Sequence, residues 1–302
     1  MTYHAPVLAN EVARLATGRS RGVDCTAGGG GHTAILLAAG LRVLAMDRDP
    51  DAVAEVRKRF ADPNLTVLEG CFGDAHVLGE IARFQPQLGL LDLGVSSHQI
   101  DTDKRGFSFR PGVALDMRMT PEGGTTAADF LRMTSEGELV RIFKEYGDER
   151  RAKGLAREVA RRRDRAPLTT SDDLVNAIRA VLGARSGPAD FARIFQAVRI
   201  AVNEELSQLA DALPAIRDAL VPGGHLAVIT YHSGEDRIVK HAFRDWARAC
   251  VCPPGQPICT CRGRALGRLE TKKAIVPQPD EIAQNPRSRS AGLRVFQFAD
   301  EA

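Results

Sequence analysis

Asp24-Cys25-Thr26-Ala27-Gly28-Gly29-Gly30-Gly31-His32 sets four consecutive glycines between two ordered stretches. Residues 21–24 in front of it read as a short strand, and residues 33–39 behind it as the start of a helix. Glycine has no Cβ, so a glycine turn at such a junction lets the backbone approach a ligand that any side chain would push away. Residues 41–47 form a second β-rich run; Pro50 stands well at a helix N1 position before a helical stretch over 51–60. Residues 65–69 and 88–92 supply a third and a fourth strand. Strands alternating with helices imply a parallel sheet wrapped by helices. In such doubly wound sheets ligands bind outside the carboxyl ends of the strands.

The rhythm stops near residue 106. From there to 205 no strand is convincing, and glycine- and proline-containing stretches give way to helical periodicity. Strand and helix resume with a helix over 206–220, the turn Val221-Pro222-Gly223-Gly224, and an apolar fifth strand over 226–231. Residues 269–276 and 293–298 are two further strand candidates. The expectation is an α/β domain made of residues 1–105 and 206–302, interrupted by an all-helical insertion over 106–205. At 302 residues, 44% hydrophobic and 26% charged, the chain reads as a soluble globular protein. No apolar stretch approaches the roughly 18 residues that span a bilayer, and Met1-Thr2-Tyr3-His4-Ala5-Pro6 has neither a basic nor an apolar leader segment. A cytoplasmic protein without membrane contact is therefore expected. A formal charge of +3 gives little whole-molecule attraction to nucleic acid, leaving room only for a local basic patch.

Asp47 ends the second strand, 19 residues after Gly28, where a carboxylate can accept hydrogen bonds from both hydroxyls of a ribose. Phe72 comes after the third strand, where an adenine can lie against an apolar ring, and Asp92 ends the fourth, near the reacting end of a bound cofactor. A P-loop is excluded, because His32 and not Lys stands after Gly31. The glycines alone leave a dinucleotide and an adenosine ligand such as S-adenosylmethionine both open.

A set of longer motifs resembles a known family. Asp24-x-Thr26-x-Gly28-x-Gly30-Gly31-His32, Asp47-Arg48-Asp49-Pro50 and Asp92-Leu93-Gly94-Val95-Ser96-Ser97 are similar to those of the bacterial small-subunit rRNA methyltransferases of the RsmH (MraW) family. So are Arg105-Gly106-Phe107-Ser108-Phe109, Phe195-Gln196-Ala197-Val198-Arg199-Ile200, His232-Ser233-x-Glu235-Asp236-Arg237 and Asn285-Pro286-Arg287-x-Arg289-Ser290. The matches run from His4 to Arg294. The resemblance implies a class I, Rossmann-like methyltransferase fold with S-adenosylmethionine as cofactor and the inserted helices as a substrate-recognition domain. It implies methylation of the N4 amino group of a cytidine in the decoding region of 16S rRNA, within the small ribosomal subunit. Carried over by motif, the cofactor contacts are Gly30, Gly31, His32, Asp47, Phe72, Asp92 and Gln99. Two alternatives stand beside it: a methyltransferase for another substrate, and a cofactor-binding ribosome-assembly factor without catalysis.

The catalytic group stays open. Asp92 either accepts from the target amino group or only holds the cofactor; His232 either takes a proton or bonds the flipped base, or else caps the helix after it. For RNA, residues 150–165 carry eight positive and two negative side chains on an expected helix, with Arg157, Arg161, Arg162 and Arg163 as phosphate contacts. Arg199 lies on a polar stripe with Gln196 and Asn203, and Arg287 and Arg289 form a further candidate. Cys250-x-Cys252 and Cys259-x-Cys261 flank a Pro-Pro-Gly turn. Four thiolates suit tetrahedral zinc, but C-x-C spacing in place of C-x2-C favours a reduced loop over a structural metal. Nothing in the sequence speaks to the oligomeric state.

Overall fold

The computed structural model describes residues 6–256 and 258–300; the expectations placed on Met1 to Ala5, His4 among them, fall outside the described residues. In chain order the elements are α1 (Ala9–Ala16), β1 (Arg21–Asp24), α2 (Gly31–Ala38), β2 (Arg42–Asp47), α3 (Pro50–Arg59), β3 (Leu65–Glu69), α4 (Ala75–Phe84) and β4 (Leu88–Asp92). Six helices come next without a strand: α5 (Ser97–Asp101), α6 (Ala127–Met133), α7 (Glu136–Glu145), α8 (Ala152–Arg163), α9 (Ser171–Leu182) and α10 (Pro188–Asn203). The chain closes with α11 (Glu205–Ala219), β5 (His225–Thr230), α12 (Ser233–Ala247), β6 (Gly267–Leu269), α13 (Pro279–Gln284) and β7 (Gly292–Phe298). No helix among the described residues is long and apolar enough to cross a membrane.

The seven strands form one sheet in the order β3-β2-β1-β4-β5-β7-β6. β3 through β5 are parallel, and β7 enters antiparallel between β5 and β6. This is the class I methyltransferase arrangement: a doubly wound sheet whose strand order reverses between β1 and β4, placing a ligand crevice at their carboxyl ends. Central strands buried on both faces read as near-continuous apolar runs, and all six residues of β5 are buried. Two apolar clusters flank the sheet. One gathers Leu91, Leu213, Val228, Phe243, Trp246 and Phe296; the other gathers Val12, Leu36, Leu41, Val43, Ile229 and Leu293.

The tail departs from the sequence expectation. Residues 269–276 do not form a strand; pairing stops at Leu269 and resumes with a single bridge between Ile275 and Leu293. The N–H groups of Glu270 and Thr271 both point to the Val295 carbonyl, so the segment bulges out before it can continue the ladder.

The chain divides into two compact units, residues 1–94 with 206–302, and residues 95–205. The first break lies before the expected 105/106 boundary. Residues 95–105 are tied to the loop over 106–119: Arg105 Nη2 donates to the carbonyls of Arg118 and Met119, and Arg110 reaches the Ile100 carbonyl and the carboxylates of Asp101 and Asp103. The second unit has its own core of Leu131, Leu139, Phe143, Leu155, Ile178 and Ile194. Asn203 anchors its long entry loop: Oδ1 accepts from Met119 N–H at 2.8 Å and Nδ2 donates to the Met117 carbonyl at 2.7 Å. Met117 is held there in the left-handed region, φ +59°. Replacing Asn203 by Ala strands both backbone groups in a buried site and should destabilise this unit by about 1–3 kcal/mol. Urea unfolding checks this; an unmoved midpoint refutes it.

Candidate active site

Two left-handed glycines shape the loop after β1, Gly28 at φ +50° and Gly30 at φ +78°. At Gly30 a Cβ would lie 2.6 Å from the Phe60 ring, so any larger residue collides with the end of α3. At Gly28 a Cβ would meet no atom within 4 Å. The turn there faces open space, the condition for a ligand to lie against the backbone. Asp47, at the tip of β2, holds this turn: Oδ2 accepts from Gly28 N–H at 2.8 Å and Oδ1 from Asp49 N–H at 2.9 Å. Each oxygen keeps a lone pair for a further donor. Burial pushes the Asp47 carboxyl up to about 6, against the two backbone hydrogen bonds that favour its ionised form.

Three chain segments converge on Asp92, the last residue of β4. Tyr231 Oη donates to Oδ1 at 2.8 Å, and the Asp92 N–H donates to Thr26 Oγ1 at 2.6 Å. His32 Nδ1 lies 3.4 Å from Oδ2. The other ring nitrogen of His32, Nε2, is 2.8 Å from the Val7 carbonyl. A carbonyl only accepts, so Nε2 carries the ring hydrogen. Nδ1 therefore faces the carboxylate. Burial raises the Asp92 carboxyl, opposed by His32 and by the Tyr231 hydrogen bond. Burial also keeps Tyr231 well above its ordinary range, so it remains a neutral donor. Asp24, at the end of β1, is fully buried; it accepts from Thr33 Oγ1 at 2.7 Å and from Thr26 N–H at 3.3 Å, which locks the first turn of α2 to the strand.

The fold thus brings Gly30, Gly31, His32, Asp47 and Asp92 to one edge of the sheet. Phe72, just past β3, is half-buried against the apolar cluster of that sheet face. Gln99 belongs to the second unit, where its side chain and Ser96 form a capping box at the start of α5, with Ser96 N–H donating to Oε1 at 2.9 Å. His232 is the N-cap of α12. Its Nδ1 accepts from the N–H groups of Gly234 and Glu235, at 3.2 and 3.4 Å. The ring hydrogen then sits on Nε2, 3.1 Å from Glu235 Oε1. Glu235 Oε2 in turn accepts from Tyr231 N–H at 2.7 Å. With its only lone pair on backbone donors, His232 is built as a cap and not as a base. His232 with Glu235 three residues later carries the capping-box spacing in the sequence. Tyr231 and Thr26 were the residues that sequence reasoning missed; a hydroxyl ending an otherwise apolar core strand was the available signal.

Most of the arginines expected at RNA are engaged within the protein. Arg161 and Arg162 both pair with Glu158, at 2.7 Å, and pull its carboxyl down to about 2. Arg163 donates to the carbonyls of Leu131 and Thr134, satisfying the end of α6. Arg199 makes a two-pronged pair with Glu205 at 2.7 and 2.9 Å, with only 13% of its side chain exposed. A carboxylate or carbonyl holds each of these four guanidinium groups. Lys153, Arg157 and Arg165 remain exposed on and beside α8, without an acidic partner within ion-pair distance among the described residues. Arg287 and Arg289 are exposed on the short helical turn Pro286–Ser290.

The residues fit an adenosine ligand: an open face at Gly28, a carboxylate with spare lone pairs at Asp47, and a second carboxylate at Asp92. The raised Asp47 carboxyl sets a pH dependence. Its ionised form accepts ribose hydroxyls, so affinity for S-adenosylmethionine should rise as pH passes upward through about 6 and level off above. At pH 5 binding should be about tenfold weaker than at pH 7. Calorimetric titration of the wild type against Asp47→Asn tests this; an Asn variant that keeps the same pH profile refutes the assignment. The same carboxyl lowers folding stability as pH rises from 3.8 to about 6, because the folded chain holds that proton more tightly than the unfolded one.

The sequence profile of the MraW methylase family matches residues 1–299. Ribosomal RNA small subunit methyltransferase H of Gemmatimonas aurantiaca is 52% identical over 302 residues, covering 99% of this chain and 96% of the relative. The proteins of the same name from Heliobacterium mobile and Trichlorobacter lovleyi are 45% and 44% identical, covering 98% of both chains and 97% of both chains respectively. The chain belongs to the MraW methylase family.

Proposed function

We propose that this chain methylates ribosomal RNA of the small subunit, with S-adenosylmethionine as donor and the N4 amino group of a cytidine in the decoding region of 16S rRNA as acceptor. The observation that carries the reading is the end-to-end match to relatives named Ribosomal RNA small subunit methyltransferase H, at up to 52% identity among those described. The open glycine turn with Asp47 and Asp92 on the same sheet edge supports it independently.

Bound S-adenosylmethionine supplies an electrophilic methyl group on a sulfonium. The chain's residues do the rest. The Gly28 turn and Asp47 hold the adenosine end. Asp92, anchored through Tyr231 and Thr26, presents its carboxylate to the cationic end. A cytosine amino lone pair is delocalised into the ring and is a poor nucleophile, so alignment is the main service the site performs; positioning supplies roughly 7–11 kcal/mol of barrier reduction. A base must leave its stack to enter such a site, at a cost of a few kcal/mol that is smallest in irregular or single-stranded RNA. The helical unit, residues 95–205, is the part we assign to substrate recognition. Lys153, Arg157 and Arg165 are its phosphate contacts in this reading, with Arg287 and Arg289 contributing from the catalytic unit. The protein acts in the cytoplasm, on small-subunit particles.

Transfer of tritium from labelled S-adenosylmethionine to 30S particles, naked rRNA and DNA tests the substrate, with N4-methylcytidine expected in the nuclease digest of the rRNA. Cofactor binding without labelled RNA would favour the assembly-factor alternative. Neutralising Lys153, Arg157 and Arg165 together should lower the salt slope of RNA binding by about 0.7–0.9 per lost phosphate contact. Neutralising Arg161 should leave that slope unchanged, since Glu158 already holds it. The opposite pattern would return the RNA contacts to the paired arginines.

A further inference from the structure

Among the described residues, the loop between α12 and β6 has no apolar core of its own. Val251 and Ile258 are exposed, at 38% and 75% of their surface. A turn around Gly255, φ +84°, reverses the chain after Pro253 and Pro254. The reversal places Cys250 and Cys252 against Cys259 and Cys261. The four sulfurs all lie within 4.8 Å of one another. Four of their separations are 3.8 Å (250–259), 3.8 Å (252–259), 3.5 Å (259–261) and 3.8 Å (250–261).

Those lengths carry chemical information. A disulfide holds its sulfurs at about 2.05 Å, so none of the four is a bonded pair. Sulfurs at the corners of a tetrahedron around zinc, each about 2.3 Å from the metal, stand about 3.8 Å apart. Three of the four separations equal that edge and the fourth falls 0.3 Å short of it. The Val251 N–H also points at Cys261 Sγ, at 3.3 Å, the kind of donor that stabilises a metal-bound thiolate. Arg248, Arg262 and Arg264 flank the four cysteines in sequence. Arg262 also donates to the carbonyls of Arg248 and Asp245, tying the far side of the loop to the end of α12. The C-x-C spacing that spoke against a metal in the sequence is met by the turn, which supplies two close pairs from opposite arms.

We propose that Cys250, Cys252, Cys259 and Cys261 bind one zinc ion as a structural tetrathiolate site that closes the loop between α12 and β6. All four positions are taken by protein thiolates, so no open coordination site is left for catalysis. The site is independent of the methyl-transfer reading. Binding joins the two arms, and each thiol that ligates releases its proton to solvent.

The full chain, purified under a thiol reductant, should contain one zinc per chain by plasma mass spectrometry. A mercurial titration should release that zinc as four thiols react. Cobalt substitution should give the visible bands and sulfur charge-transfer absorption of a tetrahedral tetrathiolate. Cys25→Ser, at a buried cysteine far from the loop in sequence, should keep the metal. Cys252→Ser combined with Cys261→Ser should lose it, with cofactor binding showing that the double variant is folded. Zinc retained by a folded double variant, or a cobalt spectrum without sulfur charge transfer, would place any metal elsewhere and overturn the proposal. So would a wild-type chain that carries no zinc, takes none up from micromolar zinc sulfate, and shows the four loop thiols free to Ellman's reagent. If the double variant fails to fold, the mercurial titration of the wild type still decides: zinc release unconnected with four thiols refutes the site.

Discussion

The hydrogen bond from Gly28 N–H to the Asp47 carboxylate, 2.8 Å long, is the constraint on which the cofactor edge depends. It joins the loop after β1 to the tip of β2, adjacent strands that a ligand must cross. A backbone donor can reach that carboxylate only if the turn adopts positive φ, and glycine is the residue that does so at no steric cost. The same turn must pass the Phe60 ring, where Gly30 leaves no room for a Cβ. Geometry, electrostatics and openness at the site therefore stem from two glycines and one acid. The half-buried acid sits in a medium that resists its charge, and its raised carboxyl results from that placement.

Asp92 plays the matching role at the other side of the crevice. Its oxygens face Tyr231 from the end of β5 and His32 from the start of α2, and its backbone faces Thr26. Three parts of the chain, around residues 26–32, 92 and 231, meet at this one residue. A carboxylate held by a neutral phenol is pre-organised toward a cation without being neutralised outright by an arginine. That balance suits a cofactor whose reacting end is positively charged.

The helical unit shows how the spacing of charges decides their partners. Its basic stretch looks one-sided in sequence, but i,i+3 and i,i+4 spacing places Glu158 under both Arg161 and Arg162. Exposed pairs of this kind contribute little stability; their larger effect is to withdraw cations from the field a phosphate would feel. Arg163 acts on carbonyls at the end of a neighbouring helix, and Arg199 on a carboxylate six residues on, at the start of α11.

Much of the architecture was legible in the chain itself. The alternation of apolar runs and helical periods marks five parallel strands, because a strand buried on both faces must be apolar throughout. The glycine run, Asp47 and Asp92 announce the crevice, because backbone conformation and strand-end position are local properties. What the tertiary structure alone decided is who partners whom. Tyr231 reaches Asp92 across 139 residues of chain, and His32 meets the same carboxylate only because β1 and β4 are neighbours. His232 could be a base or a cap until the start of α12 took its lone pair. Four cysteines in two C-x-C pairs came within 4.8 Å of one another only when the turn at Gly255 folded the arms together. Propensity and periodicity act over a few residues, whereas proton sharing, ion pairing and metal geometry depend on distances of about 3 to 4 Å between groups that the fold alone brings within reach.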